Sequence, residues 1–223
     1  MPNLYLFDVD KTLITNSSDK SYAKPIHNLH GLSVDDDQDF SGMTDRLILA
    51  KLLRNEGWDE HQIDASLPGL ITELEKTHAE SFDKSFVKIL PGVVQLLEAL
   101  QKREHVLGLI TGNLKAITKL KLEAVNIYSF FTVGAYGDDP HNTRSDLVTL
   151  AIERAGFADH IQNVYSIGDT TLDIEASLGA RVIHTVGVSN GFISTSSLSA
   201  SGASIILEDF RDTDFVLQQI GAK

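Results

Sequence analysis

Cysteine is absent from all 223 residues. That excludes a disulfide framework, a thiolate nucleophile and a Cys-based zinc site, and it fits a reducing compartment. Basic residues are also scarce: 19 Lys and Arg stand against 31 Asp and Glu, for a formal net charge of −12. A surface this acidic repels phosphate backbones, which argues against nucleic acid as a partner. A single phosphate can still be handled where a local metal or cation inverts the field. No apolar run approaches the ~20 residues that a membrane span needs. Met1–Phe7 has neither the basic segment nor the long apolar segment of a signal peptide. We therefore expect a soluble, cytoplasmic protein with no membrane partner, and the oligomeric state stays open. Also missing are H-E-x-x-H, G-x-S-x-G, a Walker A loop and G-x-G-x-x-G, the signatures of several common enzyme classes.

What is present is ordinary globular chemistry. Hydrophobic residues make up 42% and charged residues 22%, which is not the signature of disorder. The length suits one large domain, or a core of about 150 residues plus an insertion. Short β-rich runs occur at Asn3–Phe7, His105–Ile110, Phe131–Ala135, Asn163–Ile167, Arg181–Val186 and Ala203–Leu207. Their near-continuous apolarity predicts parallel strands buried on both faces. Helical patterns alternate with them. Val93, Leu96, Leu97 and Leu100 follow Pro91 at a first helical position. Leu114 and Ile117 follow Asn113 as N-cap. Leu147, Leu150 and Ala151 precede Gly156 as terminator, and Ile174 and Leu178 mark a further helix ending near Gly179. The alternation predicts an α/β, Rossmann-like, doubly wound, mainly parallel sheet.

The stretch from Thr15 to Lys88 differs, with no convincing strand. Its spacing predicts helices at Asp45–Asn55, from Asp59 onward, and at Leu70–Phe82. Asp59 and Gln62 have capping-box spacing. The polar segment Asn16–Gln38 and its acidic run Asp35–Asp37 read as a solvated loop, and Ser194–Ser204 as a surface connection. The expected organisation is a catalytic core of residues 1–14 and 89–223 with an α-helical cap domain of residues 15–88.

Ligands of open α/β sheets collect at the carboxyl ends of the strands. After the first strand come Asp8, Asp10, Lys11 and Thr12. Thr111, Gly112 and Asn113 follow the second, and Asp138, Asp139 and then Arg144 follow the third. Asp169, Thr170 and Asp173 follow the fourth. Carboxylates converging there suit Mg2+, a hard ion that prefers oxygen ligands. A hydroxyl and free N–H groups at a helix start suit phosphoryl oxygens, and a fixed cation offsets charge on a group in transfer. One carboxylate can be a nucleophile and another a general acid and base. An EF-hand reading fails, because that loop would need an acid or Asn at Thr12 and Gly at Leu13.

These residues resemble the haloacid dehalogenase superfamily, in its phosphatase branch with a helical cap of the phosphoglycolate-phosphatase-like kind. Phe7-Asp8-Val9-Asp10-Lys11-Thr12-Leu13 is similar to the family's D-x-D-x-T motif. Leu109-Ile110-Thr111-Gly112-Asn113 is similar to its second motif, and Ile167-Gly168-Asp169-Thr170-Thr171-Leu172-Asp173 to its G-D-x-x-x-D motif. The resemblance implies that Asp8 is the nucleophile and a metal ligand. Asp10 is implied as acid/base, with its main-chain carbonyl on the metal. It also implies that Thr111 binds phosphate, that Asp169 binds metal and that Asp173 supports the metal shell. An acid at position 10 favours phosphate esters, since a halide leaves without a proton. The family's usual third-motif Lys is missing. Arg144, at a helix start near the strand ends, is preferred for that role over Arg154, which lies late in the same helix. Lys11 stands where Gly is commonest and must tolerate a tight turn; Thr171 replaces a frequent Pro. Thr12, Gly112, Asn113 and Arg46, beside the segment Gly42-Met43-Thr44-Asp45, complete the candidate substrate-binding set.

The leading expectation is a Mg2+-dependent phosphatase acting on a small phosphorylated metabolite through an aspartyl phosphate. A sugar-phosphate phosphomutase on the same scaffold is the alternative. A phospho-accepting regulatory module is a third reading, disfavoured because it needs no lid over its site.

Overall fold

The computed structural model describes residues 2–15, 20–40, 42–189 and 193–222. Residues 16–19, the opening of the polar stretch, lie outside these. The chain runs through β1 (Leu4–Phe7), α1 (Ala23–His30), α2 (Asp45–Asn55), α3 (Glu60–Ser81) and α4 (Val93–Lys102). It continues through β2 (Val106–Ile110), α5 (Lys115–Ala124), β3 (Val133–Ala135), α6 (Arg144–Arg154) and β4 (Val164–Gly168). It closes with α7 (Thr171–Gly179), β5 (His184–Val188), α8 (Thr195–Ala200), β6 (Ile205–Leu207) and α9 (Thr213–Gln219). All strand pairs are parallel, in the order β3-β2-β1-β4-β5-β6. Each strand begins within three residues of its expected start. The largest shift is at β5, because Arg181 (φ 65°) still turns out of α7 and the Val182 N–H still bonds the Ser177 carbonyl.

The sheet is buried because both faces are covered. Along β1 the side chains alternate. Leu4 and Leu6 pack with Leu147 and Ala151 of α6 and Ala176 of α7. Tyr5 and Phe7 pack with Leu96, Leu97 and Leu100 of α4 and Val216 of α9. The strand order reverses between β1 and β4, the topological switch point where such sheets open a crevice. Leu4–Phe7 pairs there in register with Val164–Ile167, so Asp8 and Asp169 leave the sheet side by side.

Helices α1–α3 form a separate apolar cluster around Ile26, Leu49, Leu53, Leu67, Leu70 and Leu74, which also reaches Leu114 and Ile117 of α5. The two chain passages linking it to the sheet run against each other. Ile14 bridges Ile89 antiparallel, the Thr15 N–H donates to the Lys88 carbonyl at 2.8 Å, and the Leu90 N–H to the Leu13 carbonyl at 2.9 Å.

Several local expectations need correction. The helix from Asp59 and that at Leu70–Phe82 are one 22-residue helix, α3. Its buried stripe Ile63, Leu67, Leu70, Leu74 runs without a break past Pro68, which faces solvent. Packing of that stripe outweighs the hydrogen bond the proline cannot make. Helix α1 lies inside the stretch expected to be loop. Pro25 in its first turn and Gly31 (φ 68°) just past its end were the available signals. Asp36 of the acidic run accepts from the Ala23 N–H at 2.8 Å and so closes that helix start. The Ser-rich connection contains α8, anchored by fully buried Leu198. Pro91 precedes the α4 N-cap, Gly92, instead of opening the helix.

Gly92 has φ 82°, and a Cβ there would lie 1.9 Å from the Phe210 carbonyl oxygen. Gly92→Ala is expected to destabilise by at least about 1–2 kcal/mol from the left-handed backbone alone, with the clash added. The check is a lower denaturation midpoint at unchanged slope; an unchanged midpoint would contradict it.

Candidate active site

The loops after β1, β2 and β4 and the first residue of α6 converge on the switch point. Asp8 keeps its place through its N–H, which donates to the Ile167 carbonyl at 2.8 Å. The tight turn that follows puts Lys11 at φ 63°, a conformation costing an ordinary residue about 1–2 kcal/mol. Thr170 and Asp173 form a capping box at the start of α7. That box aims one Asp173 oxygen at Thr170 and frees the other. Arg144 Nη2 donates to Asp8 Oδ1 at 2.9 Å and to Asp173 Oδ1 at 2.5 Å. Arg144 thus supplies the cation between the two carboxylates. Arg154 sits away from this cluster, on Asp139 at 2.6 Å and the Gly134 carbonyl.

Asp8, Asp169 and Asp173 each bring a carboxylate oxygen within 4.8 Å of the others. Burial, and then Asp173, hold the Asp8 carboxyl well above the usual carboxylate range, with Arg144 opposing. Burial and Asp173 push Asp169 up to about 7, against the pull of Lys11. Thr12 donates to Asp169 Oδ1 at 3.4 Å, while Asp169 Oδ2 is buried with no hydrogen-bond partner. A buried acceptor left unpaired is costly. Three hard oxygen donors, one orphaned, fit a small divalent cation such as Mg2+. Thr12 is itself fully buried, which gives it a role in orienting Asp169 and no open face to a ligand.

Asp10 belongs to a different neighbourhood. Lys121 Nζ donates to both its oxygens at 2.9 Å, and Asn113 Nδ2 to one at 2.7 Å. Burial alone would raise Asp10, but Lys121 and then Lys20 outweigh it and hold its carboxyl below the usual range. Its carboxylate is not part of the three-acid cluster. Thr111 Oγ1 accepts from the Asn113 backbone and side chain at 3.2 and 3.0 Å, which leaves its O–H to donate.

Asn113 does not cap α5, whose N-cap is Leu114 without a side-chain bond. The helix start expected to be free for phosphate is occupied at two positions. The Leu114 N–H donates to Asp45 Oδ2 at 2.9 Å and the Lys115 N–H to Asp138 at 2.7 Å. Asp45 arrives from α2 and also accepts from Lys20 Nζ and the Tyr22 hydroxyl, both at 2.7 Å. Arg46 points elsewhere: its nearest ion-pair partner is Asp64 of α3 at 3.7 Å, and it does not line the cavity over the carboxylates.

That cavity measures about 430 Å³, within the range of small-molecule sites. Its floor includes Asp8, Asp10, Thr111 and Asp169; Lys20, Tyr22 and Asp45 close it from the α1–α2 side. Gly112 lines it too, and a Cβ there would meet the Met43 carbonyl at 2.8 Å, so only glycine lets the two loops touch. Sequence reasoning missed Lys20, Tyr22, Asp45 and Lys121. For Lys121 a signal existed. It shares the buried face of α5 with Ile117, Thr118 and Leu122, and lysine is almost never fully buried without a partner.

A doubly wound α/β core thus carries a buried carboxylate cluster at its switch point, an arrangement suited to phosphoryl chemistry. The haloacid dehalogenase-like hydrolase profile matches residues 5–188, and the chain belongs to that family. Phosphoglycolate phosphatase of Escherichia coli is 31% identical over 126 residues, covering 56% of this chain and 49% of that enzyme. The match thus spans about half the length of that relative. Pyrophosphatase PpaX of Oceanobacillus iheyensis is 27% identical over 212 residues, 93% of this chain and 92% of that protein. Among solved structures, a hydrolase from Pseudomonas syringae superposes with a TM-score of 0.67 at 22% identity, covering 98% of this chain and 99% of that one. The β-phosphoglucomutase from Clostridium difficile gives 0.68 at 17% identity, with 99% and 98% covered. These two likenesses concern the fold. Among the described residues no helix is long and apolar enough to cross a membrane.

Proposed function

We propose that the chain is a Mg2+-dependent phosphatase of small phosphorylated metabolites, with residues 1–14 and 89–223 as catalytic core and 15–88 as a cap over it. The observation that carries this reading is the split between two acid neighbourhoods in one cavity. Asp8 lies with Asp169, Asp173 and Arg144, and Asp10 lies apart from them on Lys121 and Asn113. Asp8, Asp169 and Asp173 would hold the ion, which when bound offsets charge on phosphoryl oxygens and keeps Asp8 ionised.

In the first step an Asp8 oxygen attacks phosphorus and the bond from phosphorus to the leaving oxygen breaks; Asp10, ionised in the free site, takes the proton of the substrate's phosphoryl monoanion and passes it to that oxygen. In the second, water attacks the aspartyl phosphate, its proton passes to Asp10, and inorganic phosphate and free Asp8 result. The Thr111 hydroxyl and Arg144 meet the phosphoryl oxygens. The leaving group faces Lys20 and Tyr22, in place of Arg46. A cavity of about 430 Å³ suits a leaving group of small size.

The relatives suggest 2-phosphoglycolate and inorganic pyrophosphate for a test panel, together with sugar monophosphates and an aryl phosphate. Steady release of inorganic phosphate with Mg2+ from at least one small member is the expected result. No release from any member would defeat the reading. Interconversion of a sugar phosphate that needs a bisphosphate activator, without steady phosphate release, would replace it with a phosphomutase.

A further inference from the structure

We propose that Lys121 is a positioning residue for Asp10, fixing where that carboxylate stands relative to the reacting phosphoryl group. This rests on the proton-transfer role of Asp10 given above.

Lys121 is completely buried and does not line the cavity, so it touches no substrate. Its ammonium makes its two shortest hydrogen bonds, both of 2.9 Å, to the two oxygens of Asp10. A two-point contact fixes the plane of a carboxylate as well as its position. Asn113 adds a third restraint at 2.7 Å, and its own amide is held in turn. Asn113 Oδ1 accepts from Lys20 Nζ at 2.5 Å and from Lys121 Nζ at 3.5 Å, which directs Nδ2 toward Asp10 and Thr111.

Burying a lysine ammonium is costly, and an apolar side chain of similar volume is often neutral or stabilising at such a position. Its buried neighbours on α5 are Ile117, Thr118 and Leu122, none of which carries a charge. Packing therefore gives no reason for a lysine here, whereas placement of Asp10 does. Proton transfer demands it, because donor and acceptor must come within about 2.6–3.2 Å, and a misplacement of 1 Å can cost about 100-fold in rate.

The decisive experiment is a double-mutant cycle on the full chain with Mg2+ and 4-nitrophenyl phosphate, using Lys121→Met, Asp10→Asn and the double variant. Lys121→Met is expected to lower kcat about 100-fold with KM within about threefold of wild type. In the Asp10→Asn background the same substitution is expected to cost less than threefold, since nothing is left to position. A full loss in both backgrounds would make Lys121 merely structural and overturn the proposal, as would wild-type kcat in Lys121→Met. Lys121→Gln serves if the Met variant does not fold. An Asp10→Asn enzyme of wild-type rate would defeat the role of Asp10 and so the proposed mechanism. An Asp10→Asn loss beside a harmless Lys121→Met would defeat this inference alone. A crystal structure of the Lys121 variant gives a readout free of turnover. The Asp10 carboxylate is expected to leave its present position, and an unmoved carboxylate would overturn the proposal even in a protein with no measurable activity.

Discussion

Asp8→Asn is expected to lower turnover of any substrate by at least about 10⁴-fold while the protein stays folded. The size follows from the role proposed for Asp8: an amide is a poor nucleophile, and loss of a covalent nucleophile removes the step on which the rest of the cycle depends. The fold should survive because the Asp8 backbone bond to Ile167 does not involve its side chain. The amide oxygen can still accept from Arg144, which donates to the present carboxylate at 2.9 Å. The substitution also puts a neutral amide in place of a carboxyl whose ionisation burial and Asp173 already disfavour. Metal-free Asp8→Asn should therefore melt no lower than metal-free wild type. Two measurements check this, steady-state phosphate release and a thermal melt in EDTA. Near-normal turnover in a variant expressed and purified free of wild-type enzyme would end the aspartyl-phosphate mechanism. A collapsed melt would show that Asp8 carries structure as well as chemistry.

The fold was legible because its information is local. The runs His105–Ile110 and Asn163–Ile167 read as buried parallel strands from near-continuous apolarity, as a sheet covered on both faces tolerates, and they contain most of β2 and β4. Each strand end then carried its polar residues in the sequence itself, which is how Asp8, Thr111 and Asp169 could be named together. Turns and helix ends were less legible where packing overrode local preference. Pro68 should interrupt α3, yet the stripe from Ile63 to Leu74 holds the helix continuous. Asn113 has the chemistry of a helix cap, yet its amide is drawn to Asp10 and Thr111. The least legible part was the charge arrangement between distant segments. Lys20 meets Asn113, and Asp45 meets the start of α5, only after α1 and α2 have docked. No spacing rule connects residues 20, 45, 113 and 121. Lys121 differs in that its position on an apolar helix face was visible without a structure, and asking which acid it had to meet would have led to Asp10.

Removal of divalent metal is the other change expected to abolish activity, and its pH dependence carries a sign. Asp169 has been pushed up to about 7 and Asp8 also lies high, whereas both would ionise near the ordinary value of about 4 in an unfolded chain. The metal-free folded state therefore binds more protons than the unfolded state between those values, so this cluster's contribution falls as pH rises through about 7. A divalent cation competes with those protons for the same oxygens. Its stabilising effect should accordingly grow with pH: the Mg2+-induced rise in melting temperature is expected to be larger at pH 8 than at pH 6. At about 100 times its dissociation constant the ion would contribute about 2.7 kcal/mol. Activity in EDTA should fall to background after metal stripping and return with Mg2+. Ca2+ should restore little, because it takes more ligands at longer distances than this three-carboxylate cluster suits. Full activity in excess EDTA would remove the metal from the mechanism. A Mg2+ shift that shrank from pH 6 to pH 8 would mean that Asp8 and Asp169 are not the groups that hold it.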